Sequence, residues 1–225
     1  MKQYSVALDG PSGAGKSTIA KAVAAKLGLL YVDTGAIYRS VGYAAFLRKI
    51  EPDDAENITK MLPKLRIEMK YAADGLQHMY LDGEDITTQI RLPEISMYAS
   101  KVSAIPAVRA FLLEMQRKFA REQSVIMDGR DIGTVVLPHA QVKVFLTADA
   151  KERAKRRYLE LEKRGTPRPY DEVLKEVNER DYNDMHRAIA PLCQAEDAIL
   201  LDTTNLDFDE SVQALLTIIE KAVEV

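Results

Sequence analysis

The chain has 225 residues, 47% hydrophobic and 29% charged, enough to bury a substantial core as one large domain or a domain with inserts. Its net charge of −3 argues against a generic nucleic-acid-binding surface, and its single cysteine, Cys193, excludes an internal disulfide, as suits a reducing compartment. The histidines His78, His139 and His186 lack metal-ligand spacing, and no apolar run approaches the roughly eighteen residues of a membrane span.

The first predicted strand is Tyr4–Leu8, and a strand beginning this early leaves no room for a signal peptide. A soluble, cytoplasmic protein is expected. Directly after the strand, Gly10, Pro11, Ser12, Gly13, Ala14, Gly15, Lys16 and Ser17 form a complete G-x-x-x-x-G-K-S phosphate-binding loop, with Thr18 following. An amphipathic helix is predicted over Lys16–Leu27. Strand, glycine-rich loop and helix are the context the motif needs. Backbone N–H groups turn inward around a triphosphate, and the helix N-terminus adds its dipole. Lys16 is then expected to reach the β and γ phosphates, and the Ser17 hydroxyl to hold a magnesium ion.

A second strand, Leu30–Asp33, leads into Thr34 and a helix over Ala36–Leu47 that carries Arg39. Thr34 reads either as the helix N-cap or as a phosphate donor, and Arg39 lies at the carboxyl edge where open α/β sheets bind ligands. The region from about Asp53 to Ser103 breaks the alternation. Strand-like runs at Leu65–Tyr71 and His78–Leu81 flank Ala-Ala-Asp-Gly at 72–75, and Asp82-Gly83-Glu84-Asp85 follows. A small antiparallel insert is expected, with Gly75 and Gly83 supplying positive φ.

A helix over Ala107–Glu122 and a strand over Ser124–Asp128 come next. Two carboxylates, an arginine and two glycines then crowd Asp128-Gly129-Arg130-Asp131-Ile132-Gly133, which packing alone explains poorly. Asp128 is the second candidate for the magnesium shell. After a strand at Gln141–Thr147, helices at Lys151–Arg164 and Tyr170–Ala188 flank the Gly- and Pro-containing segment 164–169. Seven of the fifteen arginines fall between 153 and 187. Arg153, Arg156 and Arg157 stand among glutamates and read either as a solvated ion-pair face or as lid arginines closing over a transferring phosphate. Arg180, Asp184 and Arg187 share a helical face and read either as a surface ion-pair ladder or as a ligand site. Cys193 reads as a small packed side chain. A strand at Ala198–Asp202 and a helix at Phe208–Glu224 complete a doubly wound α/β pattern, with no internal repeat.

These segments together resemble the bacterial cytidylate kinases. The resemblance rests on Leu-Asp-Gly-Pro-Ser-Gly-Ala-Gly-Lys-Ser-Thr at 8–18, Asp-Thr-Gly-Ala-Ile-Tyr-Arg at 33–39 and Met-Asp-Gly-Arg-Asp-Ile-Gly-Thr-Val-Val at 127–136. Asn-Glu-Arg-Asp at 178–181 and Arg-Ala-Ile-Ala-Pro-Leu at 187–192 extend it. It implies a P-loop nucleoside monophosphate kinase fold, with a parallel five-stranded sheet flanked by helices, a small antiparallel β insert and a helical lid. The implied organisation is a core of 1–33, 104–150 and 189–225, a monophosphate-binding region with the insert at 34–103, and a lid with its adjoining helix at 151–188.

The implied reaction is transfer of the γ-phosphoryl group of ATP to CMP or dCMP with Mg2+, in pyrimidine nucleotide metabolism. By the same resemblance, Gly10–Thr18 bind ATP, and Lys16, Arg130, Arg153 and Arg157 stabilise the transferring phosphoryl group. Thr34, Arg39 and Arg130 bind the CMP phosphate, Arg180 and Asp184 the ribose, and Ser100, Arg109, Asp131 and Arg187 the cytosine. Ser17 and Asp128 are the implied metal ligands. Thr34 stands where other members often carry Ser, so the hydroxyl is kept. The implied partners are these small molecules, with neither nucleic acid nor membrane, and the implied state is a monomer. Two other readings share the loop: another small-molecule kinase of shikimate or dephospho-coenzyme A type, and a nucleotide-gated RNA-binding module. The acidic balance argues against the second.

Overall fold

The computed structural model describes residues 3–72, 77–163 and 165–223. Its elements in chain order begin with β1 (Ser5–Asp9), α1 (Lys16–Leu27), β2 (Leu30–Asp33), α2 (Thr34–Leu47) and α3 (Ala55–Met61). Strands β3 (Ile67–Tyr71), β4 (Gln77–Leu81) and β5 (Glu84–Asp85) precede α4 (Pro93–Val102) and α5 (Pro106–Glu122). Then come β6 (Val125–Gly129), β7 (Val142–Thr147), α6 (Ala150–Lys163), α7 (Tyr170–His186), β8 (Ile199–Asp202) and α8 (Phe208–Val223). Two compact units emerge, one of residues 1–31 and 123–225, the other of residues 32–122.

The five-stranded sheet has the order β2-β6-β1-β7-β8, with β1 parallel to both β6 and β7 and β8 parallel to β7. The α/β class and its parallel sheet match the expectation. Near-continuous apolar strands are what a sheet covered on both faces requires. Val6, Leu8, Ile126, Val144 and Leu146 form a core cluster with Ile19 and Val23 of α1 and Leu215 and Ile219 of α8. Each such side chain contributes about 1.5–3 kcal/mol by leaving water. The last strand departs from expectation, because Ile199 and Leu200 are exposed. As the sheet's edge, β8 is not covered as the inner strands are.

The β1 register pairs Leu8 with Asp128 and Asp9 with Gly129, so the phosphate loop leaves the sheet beside the turn that follows β6. Gly10 has φ +147°, and a Cβ there would lie 1.9 Å from the Leu146 carbonyl oxygen. Only glycine fits so close to β7. The α6–α7 hairpin is held by Ala154, Leu161, Val173 and Val177. Its connection turns at Gly165, at φ +71°. Arg164, expected at the end of α6, lies outside the described residues. The second helix ends at His186, two residues earlier than expected. Cys193 is exposed, which corrects its reading as a packed side chain.

In the other unit, β3, β4 and β5 form the expected antiparallel sheet, with Tyr71 opposite Gln77 and Leu81 opposite Glu84. Gly83 has the expected positive φ, at 94°, while Gly75 lies outside the described residues. The insert region is more helical than predicted. α3 starts at an Asp54 cap that accepts from the Asn57 N–H at 3.0 Å. α4 starts with Pro93 in its first turn. Both signals were present in the sequence, but the β pattern between them masked them. α2 packs on α4 through Gly42, where a Cβ would meet the Ala99 nitrogen at 3.0 Å.

Candidate active site

In the unit built on the parallel sheet, the phosphate loop enters α1 through Gly15, whose φ of 92° turns the chain into the helix. Lys16 is buried, and its Nζ donates to the carbonyls of Gly10 and Pro11, each at 2.7 Å. Burial pulls its pKa well below the ordinary value, aided by the charge of Arg130 and opposed by Asp128, Asp9 and Asp184. A buried amino group held by neutral carbonyls is poised for an anion, which would favour its charged form.

At the strand ends, the Ser17 hydroxyl donates to Asp128 Oδ2 at 2.7 Å, and the Tyr31 hydroxyl donates to Asp128 Oδ1 at 3.1 Å. A hydroxyl and an oriented carboxylate are hard oxygen donors, so the pair fits a magnesium ion. Asp9 is also buried here, and it accepts from the Ile132 and Gly133 N–H groups at 2.7 Å each. Burial pushes its carboxyl up to about 6, against the pull of those two N–H groups.

The turn after β6 and the end of α7, far apart in sequence, meet through two ion pairs. Arg130 Nε donates to Asp184 Oδ2 at 2.8 Å, and Arg187 Nη2 donates to Asp131 Oδ1 at 3.3 Å. Asp184 turns to Arg130, across the fold, and does not serve a surface ladder alone. Arg187 also differs from expectation. It lies just past α7 in extended backbone, where its Nε donates to the Ala190 carbonyl at 2.6 Å.

Burial alone would raise the Asp184 pKa, but Arg130, by charge and hydrogen bond, then Arg180 and Arg187, outweigh it and depress the carboxyl. A depressed carboxyl contributes stability above its unfolded pKa, near 3.9, and loses it as pH falls through the lower folded value. Unfolding free energy should therefore fall more steeply below about pH 4 in the natural chain than in Asp184→Asn. Urea titrations at several acid pH values would show this, and parallel curves would contradict it.

The arginines of α6 divide. Arg153 is buried, with Nε on the Ala148 carbonyl at 2.8 Å, Nη1 on the Ser12 carbonyl at 2.9 Å, and both terminal nitrogens on Asp181. It braces the phosphate loop in this state. Arg156 Nη2 reaches the Thr203 carbonyl at 2.8 Å. Arg157 pairs with Glu160 on the same helix at 3.0 Å, the ion-pair face its glutamate neighbours suggested.

In the unit of residues 32–122, Asp33 caps α2 by accepting from the Ala36 N–H at 2.8 Å. This corrects the reading of Thr34 as a cap: Thr34 is the buried first residue of the helix. Arg39 pairs with Asp33 Oδ2 at 2.9 Å, and its buried Nε has no hydrogen-bond partner among the described residues. An anion acceptor would satisfy that donor. Gln77 grips Asp33 from β4, accepting from its N–H at 2.8 Å and donating to its carbonyl at 3.3 Å. Arg109 is buried, donates to the Ser103 carbonyl at 3.2 Å, and lies 5.6 Å from the Tyr38 ring centre. Ser100 offers its carbonyl to the Ser103 hydroxyl at 2.8 Å.

Asp9, Tyr31, Gln77 and Asp181 were not singled out from the sequence. Asp9 and Asp181 stand inside the motifs at 8–18 and 178–181, which was their one available signal.

A parallel sheet whose first strand feeds a glycine-rich loop, with a buried lysine and a Ser–Asp pair behind it, defines a P-loop nucleotide-binding protein. The family model described as "Cytidylate kinase" matches residues 6–221. A cytidylate kinase of Caldicellulosiruptor bescii is 51% identical over 224 residues, covering 100% of this chain and 99% of its own. One of Ligilactobacillus salivarius is 47% identical over 221 residues, covering 98% of each. An uncharacterised protein from Eubacterium ventriosum has a similar solved structure, with a TM-score of 0.53 at 13% identity over 97% of this chain and 99% of its own. The chain belongs to the cytidylate kinase family.

Proposed function

We propose that the chain transfers the γ-phosphoryl group of ATP to CMP or dCMP, giving ADP and CDP or dCDP. The observation that carries this reading is the pair of ion pairs beside the phosphate loop, Arg130–Asp184 and Asp131–Arg187. They orient Arg130, assigned here to the acceptor phosphate, and Asp131, assigned here to the base. The attacking atom is an oxygen of the monophosphate itself, already anionic near neutral pH, so no general base is needed. Catalysis then rests on positioning and charge. Lys16 holds the donor's β and γ phosphates, and Arg130 neutralises the acceptor phosphate. Arg153 and Arg157 are assigned to the transferring group, and for Arg153 that role requires release from Asp181.

Magnesium, held by Ser17 and Asp128, would supply charge neutralisation on the donor phosphates. Thr34 and Arg39 are assigned to the acceptor phosphate, Arg180 and Asp184 to the ribose, and Ser100, Arg109, Asp131 and Arg187 to cytosine. The described residues contain no helix long and apolar enough to cross a membrane. The reaction is placed in cytoplasmic pyrimidine nucleotide metabolism, carried out by a monomer that does not bind nucleic acid.

Asp131 accepts from the exocyclic amine of cytosine, whereas uracil sets a carbonyl against it, a mismatch of about 1–3 kcal/mol. In Asp131→Ala, the preference for CMP over UMP in kcat/KM should drop roughly 10- to 100-fold. An unchanged preference would reject this role.

A further inference from the structure

We propose that Asp9 is a positioning residue for acceptor recognition, its carboxylate fixing the turn that presents Arg130 and Asp131. This rests on the acceptor reading of those two residues given above. Asp9 is the last residue of β1, so the atom that follows it in the chain belongs to the phosphate loop. Its two carboxylate oxygens take two successive N–H groups, Oδ1 from Ile132 and Oδ2 from Gly133, both at 2.7 Å.

Those donors open a single π-helical turn over Ile132–Val136, in which Val136 and Leu137 donate to the carbonyls five residues back. The first N–H groups of a helical turn have no partner within it, and here both residues are buried. The carboxylate therefore supplies what the turn cannot. A two-point grip fixes orientation as well as distance. It does so immediately after Asp131, whose backbone is held at φ −147° and ψ 29° while its side chain meets Arg187.

Gly133 packs directly against this contact. A Cβ there would lie 3.2 Å from Lys143 Cδ and 3.4 Å from Asp9 Oδ2. The loop's own phosphate ligands take their hydrogen bonds elsewhere, and Asp9 reaches Lys16 through charge alone. Lys16 and the N-terminus of α1 are set by Gly10, Pro11 and Gly15. Asp9 thus acts on base and acceptor-phosphate recognition through the backbone at 131–133, where a misplacement of about 1 Å is costly.

Asp9→Asn keeps the shape but turns one acceptor into a donor facing an N–H. In the purified full chain, KM for CMP should rise about tenfold and the CMP-over-UMP preference should fall about tenfold. KM for ATP, and ADP affinity by calorimetry, should change severalfold less than the CMP parameters, because the loop's hydrogen bonds are kept and only the charge of Asp9 acting on Lys16 is lost. Gly133→Ala presses a methyl on Lys143 Cδ and sets it in van der Waals contact with Asp9 Oδ2, shifting the backbone that Asp9 holds, and should change CMP parameters about two- to threefold in the same direction. If Asp9→Asn does not fold, Gly133→Ala carries the same comparison. Unchanged CMP parameters, or ATP and CMP affinities that fall together, would overturn the proposal.

Asp131→Ala separates this proposal from the reading beneath it. If that variant keeps its CMP preference, the acceptor reading fails and the proposal fails with it. If it loses the preference while folded Asp9→Asn keeps it, the proposal alone fails.

Discussion

Lys16→Ala is expected to lower kcat by on the order of 10³-fold with little change in fold. The ammonium is buried, and its hydrogen bonds go to the Gly10 and Pro11 carbonyls. Desolvation makes its charged form costly until an anion arrives, so its attraction for a triphosphate is unusually undiluted by water. As negative charge spreads over the oxygens of the transferring group, the lysine is the cation assigned to the donor phosphates. Single-turnover ADP formation in Lys16→Ala and Lys16→Met would measure the loss. A decrease of less than about tenfold in both would place the charge stabilisation elsewhere.

Arg130→Ala should show two separable effects. The guanidinium is mostly buried against a mostly buried Asp184, with side-chain exposures of 19% and 9%. Removing it leaves a buried carboxylate without its principal partner, at a cost of about 3 kcal/mol in stability. It also removes the cation assigned to the acceptor phosphate, and kcat/KM for CMP should fall about 10²- to 10³-fold. The double variant Arg130→Ala/Asp184→Asn tells the two apart. It should regain most of the lost stability, because no charge is stranded, yet stay about 10²-fold below Asp184→Asn alone, which carries the loss of the ribose contact. Activity equal to that of Asp184→Asn alone would mean that Arg130 supports the fold and does not meet substrate.

The phosphate loop and the five strands were legible because their signals are local. A strand's apolar run, a glycine pattern and a helix start lie within twenty residues of one another. The turn at 128–133 could be singled out for the same reason, since its charges sit together just beyond a strand. Its partners could not be read. Asp9 and Ile132 are bonded across 123 positions, and Arg130 and Asp184 across 54, so nothing in the pattern says which carboxylate meets which donor. Arg187 looked like a third member of a helical face because the helix was read two residues too long. The α3 and α4 helices were obscured by the strand alternation between them, although an Asp cap and a first-turn proline mark their starts. Arg153 read either as part of a solvated ion-pair face or as a lid arginine, and only the packed hairpin shows it buried and braced by Asp181 and the Ser12 carbonyl.

The most direct test is the rate of ADP release from magnesium-ATP with CMP, dCMP, UMP, AMP, GMP and shikimate offered separately to the purified chain. Rapid turnover with CMP and dCMP, weak turnover with UMP, and background rates with the rest are the predicted result. Equal turnover of CMP and UMP would contradict the role given to Asp131. Background rates with every acceptor, in a protein that still binds ATP, would contradict the assignment of the acceptor site as a whole.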